Sequence, residues 1–189
     1  MTPARGRGAL LAAAALVAAC VPIARIDTTA AAVADAPFTV AGRLSAHHGA
    51  EALAANFDWQ HRLDGDRIAL ATPLGQTLAE LDRDGGEVTI ALADGRRASA
   101  ASFDALTAQA FGVPLPVAGL TSWIRGGPRS GSPFAIERDG AGRAAVLRQD
   151  GWEIVYAYAD DRAQTPFRVT LSYPGAEPIE VRVVVDRRE

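Results

Sequence analysis

Residues 53–70 read LAANFDWQHRLDGDRIAL, and apolar and polar residues alternate on both sides of an Asp-Gly turn. Leu53, Phe57 and Trp59 share one face of such a chain, and Asp58 lies on the other. A period of two is typical of a half-buried antiparallel strand, and Asp-Gly is a strong turn signal between two strands. This stretch therefore predicts a β-hairpin with one apolar face.

The same alternation recurs along the chain from Phe38 to the C-terminus. Further strand-like segments lie at residues 38–45, 88–92, 134–136, 144–148, 152–158, 167–173 and 179–185. No helical segments alternate with them, which disfavours a parallel doubly wound sheet. We therefore predict a mainly β fold, a meander of about eleven strands, with helices inserted in the middle.

Two helical segments interrupt the strand pattern. Residues 102–112 place Phe103, Leu106 and Phe111 at helical spacing, after Ser102 as an N-cap and before Gly112 as a stop. A second helix is predicted from Val117 through Leu120 and Trp123 to the Gly-Gly-Pro at residues 126–128. Helices inserted into a meander must lay their apolar faces on the concave side of the sheet.

Length and charge limit the classes of protein to consider. The 189 residues, 49% apolar and 22% charged, fit one folded domain with a sizeable core. All 19 basic residues are Arg, and 22 acidic residues give a net charge of −3, so nucleic-acid binding is not expected. We expect a monomer, because no coiled coil or repeat argues for assembly.

The N-terminus resembles a bacterial lipoprotein signal. Arg5 and Arg7 precede an apolar run at residues 9–19, which is too short to span a bilayer, and Cys20 follows as the only cysteine. Small residues directly before a cysteine resemble a lipobox, which implies cleavage after Ala19 and acylation of Cys20. Because Val21 is not Asp, the implied address is the periplasmic face of the outer membrane, with a lipid anchor.

These signals divide the chain into three parts. Residues 1–19 are predicted to be a signal peptide, residues 20–37 the lipidated cysteine and an Ala-rich tether, and residues 38–189 the folded domain. A short helix within residues 27–34 is an option that the composition leaves open.

The residues offer little for catalysis. His47, His48 and His61 are the only imidazoles and lack carboxylates at metal-ligand spacing, so solvated histidines are predicted. Gly-x-Ser-x-Gly, phosphate-binding and dinucleotide motifs do not occur in the sequence. We therefore predict a protein that is not an enzyme and that needs no metal or cofactor.

Apolar residues remain as candidates for function. Pro73-Leu74-Gly75 places a Leu at the tip of a predicted turn, although a single exposed Leu is common on protein surfaces. Aromatic residues such as Phe57, Trp59 and Trp123 fit plain core packing or the wall of a ligand cavity, and their spacing alone does not separate the two.

Five ordered segments together resemble the LolB family, outer-membrane lipoproteins that receive other lipoproteins from the periplasmic carrier LolA. They are Gly42-Arg43-Leu44-Ser45, Asn56-Phe57-Asp58-Trp59-Gln60, Asp66-Arg67-Ile68 with Pro73-Leu74-Gly75, Leu115-Pro116-Val117 through Trp123-Ile124-Arg125-Gly126, and Gln149-Asp150-Gly151-Trp152. The resemblance covers about residues 38–186. The segment between Cys20 and Phe38 is short for the family.

The resemblance implies an unclosed antiparallel β-barrel of about eleven strands, covered by helices over an apolar cavity for acyl chains. It implies that the chain takes acylated lipoprotein cargo from LolA and inserts it into the outer membrane, with the loop Pro73, Leu74 and Gly75 helping to place the cargo. We expect the cavity to be lined by Phe57, Trp59, Leu70, Leu92, Leu106, Phe111, Leu120, Trp123, Ile154 and Tyr156. Alternatives are a scaffold lipoprotein with a solid core and, less favoured, a lipid hydrolase.

Overall fold

The computed structural model describes residues 26–189, which form twelve strands and two helices. The strands are β1 (Ile26–Asp27), β2 (Phe38–His48), β3 (Glu51–Arg62), β4 (Gly65–Ala71), β5 (Thr77–Asp84), β6 (Glu87–Leu92), β7 (Arg97–Ala100), β8 (Phe134–Arg138), β9 (Ala144–Gln149), β10 (Trp152–Ala157), β11 (Arg168–Tyr173) and β12 (Ile179–Arg188). The helices are α1 (Phe103–Phe111) and α2 (Val117–Trp123). The predicted signal peptide, Cys20 and residues 21–25 lie outside the described residues.

All twelve strands form one antiparallel sheet in the order β1-β8-β9-β10-β11-β12-β2-β3-β4-β5-β6-β7. The two edge strands, β1 and β7, do not pair with each other, so the sheet curls without closing. This confirms the predicted mainly β, unclosed barrel. The strand count exceeds the prediction because of β1, two residues within the predicted tether.

The alternation read from the sequence sets which side of each strand faces inward. Along β2, Val40, Leu44 and Ala46 are buried, while Arg43 is exposed. Leu44 pairs with Ala55 of β3 on the same inner face, as a period of two requires. A register shift between Val185 and Arg187 lies beside Gly42, where a Cβ would collide with the Val184 carbonyl. The sheet can bend at this point because β2 has no side chain there.

Both predicted helices are confirmed and pack on the concave side of the sheet. Ser102 Oγ accepts a hydrogen bond from the Ala105 N–H (3.3 Å) and caps α1. Gly112 ends that helix with φ +72° and donates its N–H to the Ala108 carbonyl (2.9 Å). α2 follows after the linker at residues 112–116. The two helices α1 and α2 are here called the lid.

The helix that the composition left open within residues 27–34 is not formed: Asp27 is in β1, and residues 28–34 have no regular secondary structure. The expectation of solvated histidines is wrong for one of the three. His61 is buried rather than solvated, with Nδ1 2.7 Å from Asp66 Oδ1 and Nε2 2.8 Å from Asp35 Oδ1. The pattern of β3 already placed His61 on the inner face, and Asp66 lies opposite it in β4. A buried imidazole requires such hydrogen-bond partners.

Candidate functional site

A small apolar pocket lies between the sheet and the lid. Its walls come from five inner strands and from both helices with their linker. The lining residues are Leu44, Phe57, Trp59, Ile68, Leu70, Leu81, Thr107, Leu115, Val117, Leu120, Ile124 and Val183. Eleven of these twelve side chains are apolar, so the pocket offers its contents dispersion contacts and almost no hydrogen bonds.

Thr107 is the one polar residue of the wall, and its hydroxyl is fully engaged. Oγ1 accepts a hydrogen bond from the Leu115 N–H (2.8 Å) and donates to the Asp104 carbonyl (3.3 Å). The Thr107 side chain therefore ties α1 to the linker that leads into α2. It adds no free hydrogen-bonding group to the pocket.

We predict that Thr107→Val lowers the free energy of unfolding by about 1–3 kcal/mol, because the buried Leu115 N–H loses its only side-chain acceptor. Thr107→Ser is the matched control, since it keeps the hydroxyl. Urea unfolding followed by tryptophan fluorescence measures both variants. Equal midpoints for Thr107→Val and the parent would contradict this role for the hydroxyl.

The pocket has a volume of only about 40 Å³. Sites for small organic ligands have volumes of roughly 300–1,000 Å³. The space present suits a few water molecules at most, and a dry apolar wall does not favour water. In this structure the pocket is therefore closed, in the sense that it is too small to hold a ligand of that size.

Few polar contacts hold the lid on the barrel. His48 Nδ1 lies 2.9 Å from the Gly112 carbonyl at the end of α1, and Trp123 Nε1 donates to Gln149 Oε1 (2.9 Å). Arg188 Nη2 donates to the Ile124 carbonyl (3.0 Å) at the end of α2. Burial, and secondarily the neighbouring Arg125, lower the pKa of Arg188.

The structure brings only part of the predicted cavity together. Phe57, Trp59, Leu70 and Leu120 line the pocket. Leu92 and Leu106 line a separate cleft between α1 and the strands β6 and β7. Phe111, Trp123, Ile154 and Tyr156 line neither space: Phe111 is half-buried, and the other three are buried in the core. Burial, followed by the nearby Tyr158, raises the pKa of Tyr156.

Eight lining residues were absent from the predicted set. They are Leu44, Ile68, Leu81, Thr107, Leu115, Val117, Ile124 and Val183. The alternation carried a signal for Leu44, Ile68 and Val183, which fall on the apolar faces of predicted strands. No sequence signal placed Thr107 in the pocket wall, because a polar threonine in an amphipathic helix is typical of a surface position.

The loop between β4 and β5 presents Leu74 to solvent. Three hydrogen bonds close the turn: Thr72 N–H to the Gln76 carbonyl (2.7 Å), Gly75 N–H to the Thr72 carbonyl (2.8 Å) and Gln76 N–H to Thr72 Oγ1 (3.1 Å). Gly75 has φ +85°, which suits glycine. Leu74 is 90% exposed, the highest value among the exposed large apolar residues of the described chain.

The loop is directly connected to the pocket wall. Leu70 of β4 lines the pocket, and the loop begins two residues after it, at Thr72. Asn56 Nδ2 of β3 donates to the Thr72 carbonyl (3.3 Å). A hydrogen-bonded turn thus holds Leu74 away from the barrel at the end of a strand that faces the pocket.

Two further observations concern metal ions and membrane-spanning helices. Within residues 26–189, no group of three or more His, Cys, Asp or Glu side chains is placed to hold a metal ion. In the same range, no helix is long and apolar enough to cross a bilayer.

The candidate site is thus an apolar pocket between a curled antiparallel sheet and a lid of two helices. A model of the family described as "Outer membrane lipoprotein LolB" matches residues 36–187. The chain therefore belongs to the LolB family.

Curated relatives agree with the family match, and each is named outer-membrane lipoprotein LolB. The protein from Chromobacterium violaceum is 43% identical over 153 residues, 80% of each chain. The protein from Azoarcus sp. is 35% identical over 194 residues, covering 100% of this chain and 98% of its own. The protein from Cupriavidus necator is 37% identical over 153 residues, 78% of each chain.

A solved structure has the same fold. The crystal structure of LolA superfamily protein NE2245 from Nitrosomonas europaea aligns with a TM-score of 0.52 over 84% of this chain and 87% of its own. At 7% identity this likeness concerns the fold alone. Together, the comparisons confirm the predicted family and the predicted location of a lipoprotein of the outer membrane.

Proposed function

We propose that this chain accepts acylated lipoproteins from the carrier LolA, shelters their fatty chains in the pocket beneath the lid, and inserts them into the outer membrane. The observation that carries the proposal is the pocket wall, which is apolar except for a Thr107 hydroxyl already engaged in two hydrogen bonds. The wall suits hydrocarbon and offers a polar ligand nothing to bind.

The cargo needs such shelter because its chains are costly to expose to water. A triacylated lipoprotein carries roughly 40–50 CH₂ groups, and each contributes about 0.8 kcal/mol on burial. Exposure of all of them costs on the order of 30–40 kcal/mol. Passage through free solution is therefore excluded, and the chains must move from one apolar environment to another.

The closed pocket explains how the receptor avoids exposing apolar surface between cargoes. With the lid down, the lining residues contact one another and little surface is open to water. When the chains of a cargo enter, they replace the contacts between lid and sheet. Transfer then requires only that the free energy of the bound acyl chains falls from carrier to receptor to bilayer, and nucleotide hydrolysis is not needed.

Two further parts of the proposal concern the membrane. We propose that Cys20 carries the lipid anchor, because it is the only cysteine and follows a signal-like apolar run. We also propose that Pro73, Leu74 and Gly75 form the membrane-insertion loop, because hydrogen bonds close the turn and its Leu is almost fully exposed. Full burial of a leucine in hydrocarbon contributes roughly 1.5–3 kcal/mol.

The test is transfer of acylated cargo from loaded LolA to residues 20–189 of this chain carrying Cys20→Ala. We expect cargo to move to the receptor in solution without membranes, because the lipid anchor serves location rather than binding. Affinity capture of the receptor, followed by detection of cargo, measures the transfer. A non-acylated cargo variant is the control and should stay unbound.

One result would favour the alternative of a scaffold lipoprotein with a solid core. If the receptor bound neither acylated cargo nor cis-parinaric acid, a fluorescent fatty acid, the pocket would not open. Displacement of cis-parinaric acid by acylated cargo, and its persistence with non-acylated cargo, would support the receptor function.

A further inference from the structure

Residues 26–35, here called the strap, lie against the barrel instead of extending freely from it. At one end, β1 pairs with the edge strand β8, with Ile26 opposite Glu137 and Asp27 opposite Ile136. Asp27 Oδ2 also accepts from Arg138 Nη2 (3.1 Å). The Thr29 backbone N–H, and then Arg138, lower the pKa of Asp27.

The middle of the strap contacts the segment that follows α2. Val33 N–H donates to the Pro128 carbonyl (2.8 Å). The Val33 side chain packs against Gly127, where a Cβ would lie 3.9 Å from the Val33 Cβ and would collide with its Cγ2. Because Gly127 has no side chain, the strap can come close to the segment that follows α2.

The far end of the strap is held by the buried imidazole of β3. Asp35 Oδ1 lies 2.8 Å from His61 Nε2, and His61 Nδ1 is fixed by Asp66 on its other side. Three separate attachments therefore fasten the strap to β8, to the segment that follows α2 and to β3.

We propose that the strap is a latch on the lid: it is docked when the pocket is closed, and it must leave Gly127 and Pro128 before α2 can move. The inference rests on the proposed function, which requires the lid to open. α2 ends at Trp123, and residues 124–128 continue directly to the attachment point of Val33. Movement of α2 away from the sheet therefore displaces this segment and breaks its contacts with the strap.

The latch also links the lid to the distance between domain and membrane. With the strap docked, the chain from Cys20 to Ile26 spans at most roughly 20 Å when extended. With the strap released, the chain from Cys20 to Phe38 spans roughly 60 Å. If Cys20 is lipidated and β1 leaves β8 when the strap is released, an open lid coincides with a longer reach of the domain above the bilayer.

An engineered disulfide between the strap and the segment that follows α2 tests the latch. The Cβ separation of 3.9 Å at Val33 and Gly127 lies within the range of disulfides, so Val33→Cys with Gly127→Cys should cross-link. Residues 20–189 with Cys20→Ala carry the pair, and Ser45→Cys with Ala54→Cys, opposite each other on the outer face of β2 and β3, is the control pair. The rate of cis-parinaric acid uptake is measured before and after reduction.

We expect the oxidised strap pair to take up the probe about tenfold more slowly than the reduced pair, with no change in the control pair. Asp35→Ala, which removes the His61 contact, should accelerate uptake. Equal rates in the oxidised and reduced strap pair would overturn the latch, because the strap would then only cover a sheet edge. Failure of every variant and of the parent to bind the probe would instead contradict the proposed function, and the latch with it.

Discussion

Leu120→Glu is expected to abolish uptake of acylated cargo, with a loss of binding of about 100-fold or more, because it places a charge in the pocket wall. Leu120 is 6% exposed and projects from α2 into the pocket. A buried carboxylate without a partner is costly, so the lid should open until the carboxylate reaches water. Acyl chains that enter would then meet a charged group and its bound water in place of a methyl surface.

Two matched variants separate this effect from general damage. Ala118→Glu adds the same charge on the same helix at an exposed position and should leave uptake close to that of the parent. Leu120→Ala destabilises by roughly 2–5 kcal/mol through the cavity it leaves, yet it keeps the wall apolar and should retain uptake. Capture of cargo from loaded LolA measures all three. Uptake at the parent's level by Leu120→Glu would mean that acyl chains do not contact this wall.

The alternation of apolar and polar residues predicted most of the fold. Because a strand places every second side chain on one face, the sequence alone assigns Phe57 and Trp59 to the interior. The capping residues Ser102 and Gly112 gave α1 its bounds for a related reason: each satisfies backbone groups that the helix leaves free. Both signals are local and need no knowledge of distant contacts.

The composition of the pocket could not be read in the same way. Trp123 and Ile154 face inward as predicted, but they lie in the packed core rather than at the pocket. Inward orientation follows from periodicity, whereas a gap between sheet and lid depends on how far each helix sits from each strand. That distance is set by the sum of many side-chain volumes, which a periodic pattern does not contain.

The strap and His61 show a second limit of local reasoning. Residues 26–35 lack apolar periodicity, so composition indicated a free tether. Their attachments depend on partners far along the chain, such as Pro128 and Arg138. Polar contacts of this kind produce no periodic pattern in the sequence of either segment, so the sequence does not reveal them. The hydrogen bond between His61 and Asp35 is hidden for the same reason.

Leu74→Glu is expected to separate receipt of cargo from its delivery. Receipt from LolA should be unchanged, because Leu74 lies outside the pocket lining and is 90% exposed. Delivery into liposomes should fall by about 30- to 100-fold, because the loop loses the roughly 1.5–3 kcal/mol of leucine burial and would carry a charge into the bilayer. Flotation of liposomes after incubation with the loaded receptor measures the fraction of cargo inserted.

The turn itself makes this test sharp, because its hydrogen bonds come from the backbone and from Thr72, and none involves the Leu74 side chain. Gln76→Glu is the charge-matched control: it adds a carboxylate to the same loop while Leu74 remains, and it should retain most of the delivery. Leu74→Phe, which keeps a large apolar group at the tip, should also deliver cargo. If Leu74→Glu delivered cargo into liposomes as fast as the parent, another part of the surface would have to contact the membrane. The exposed Leu would then have no role in delivery.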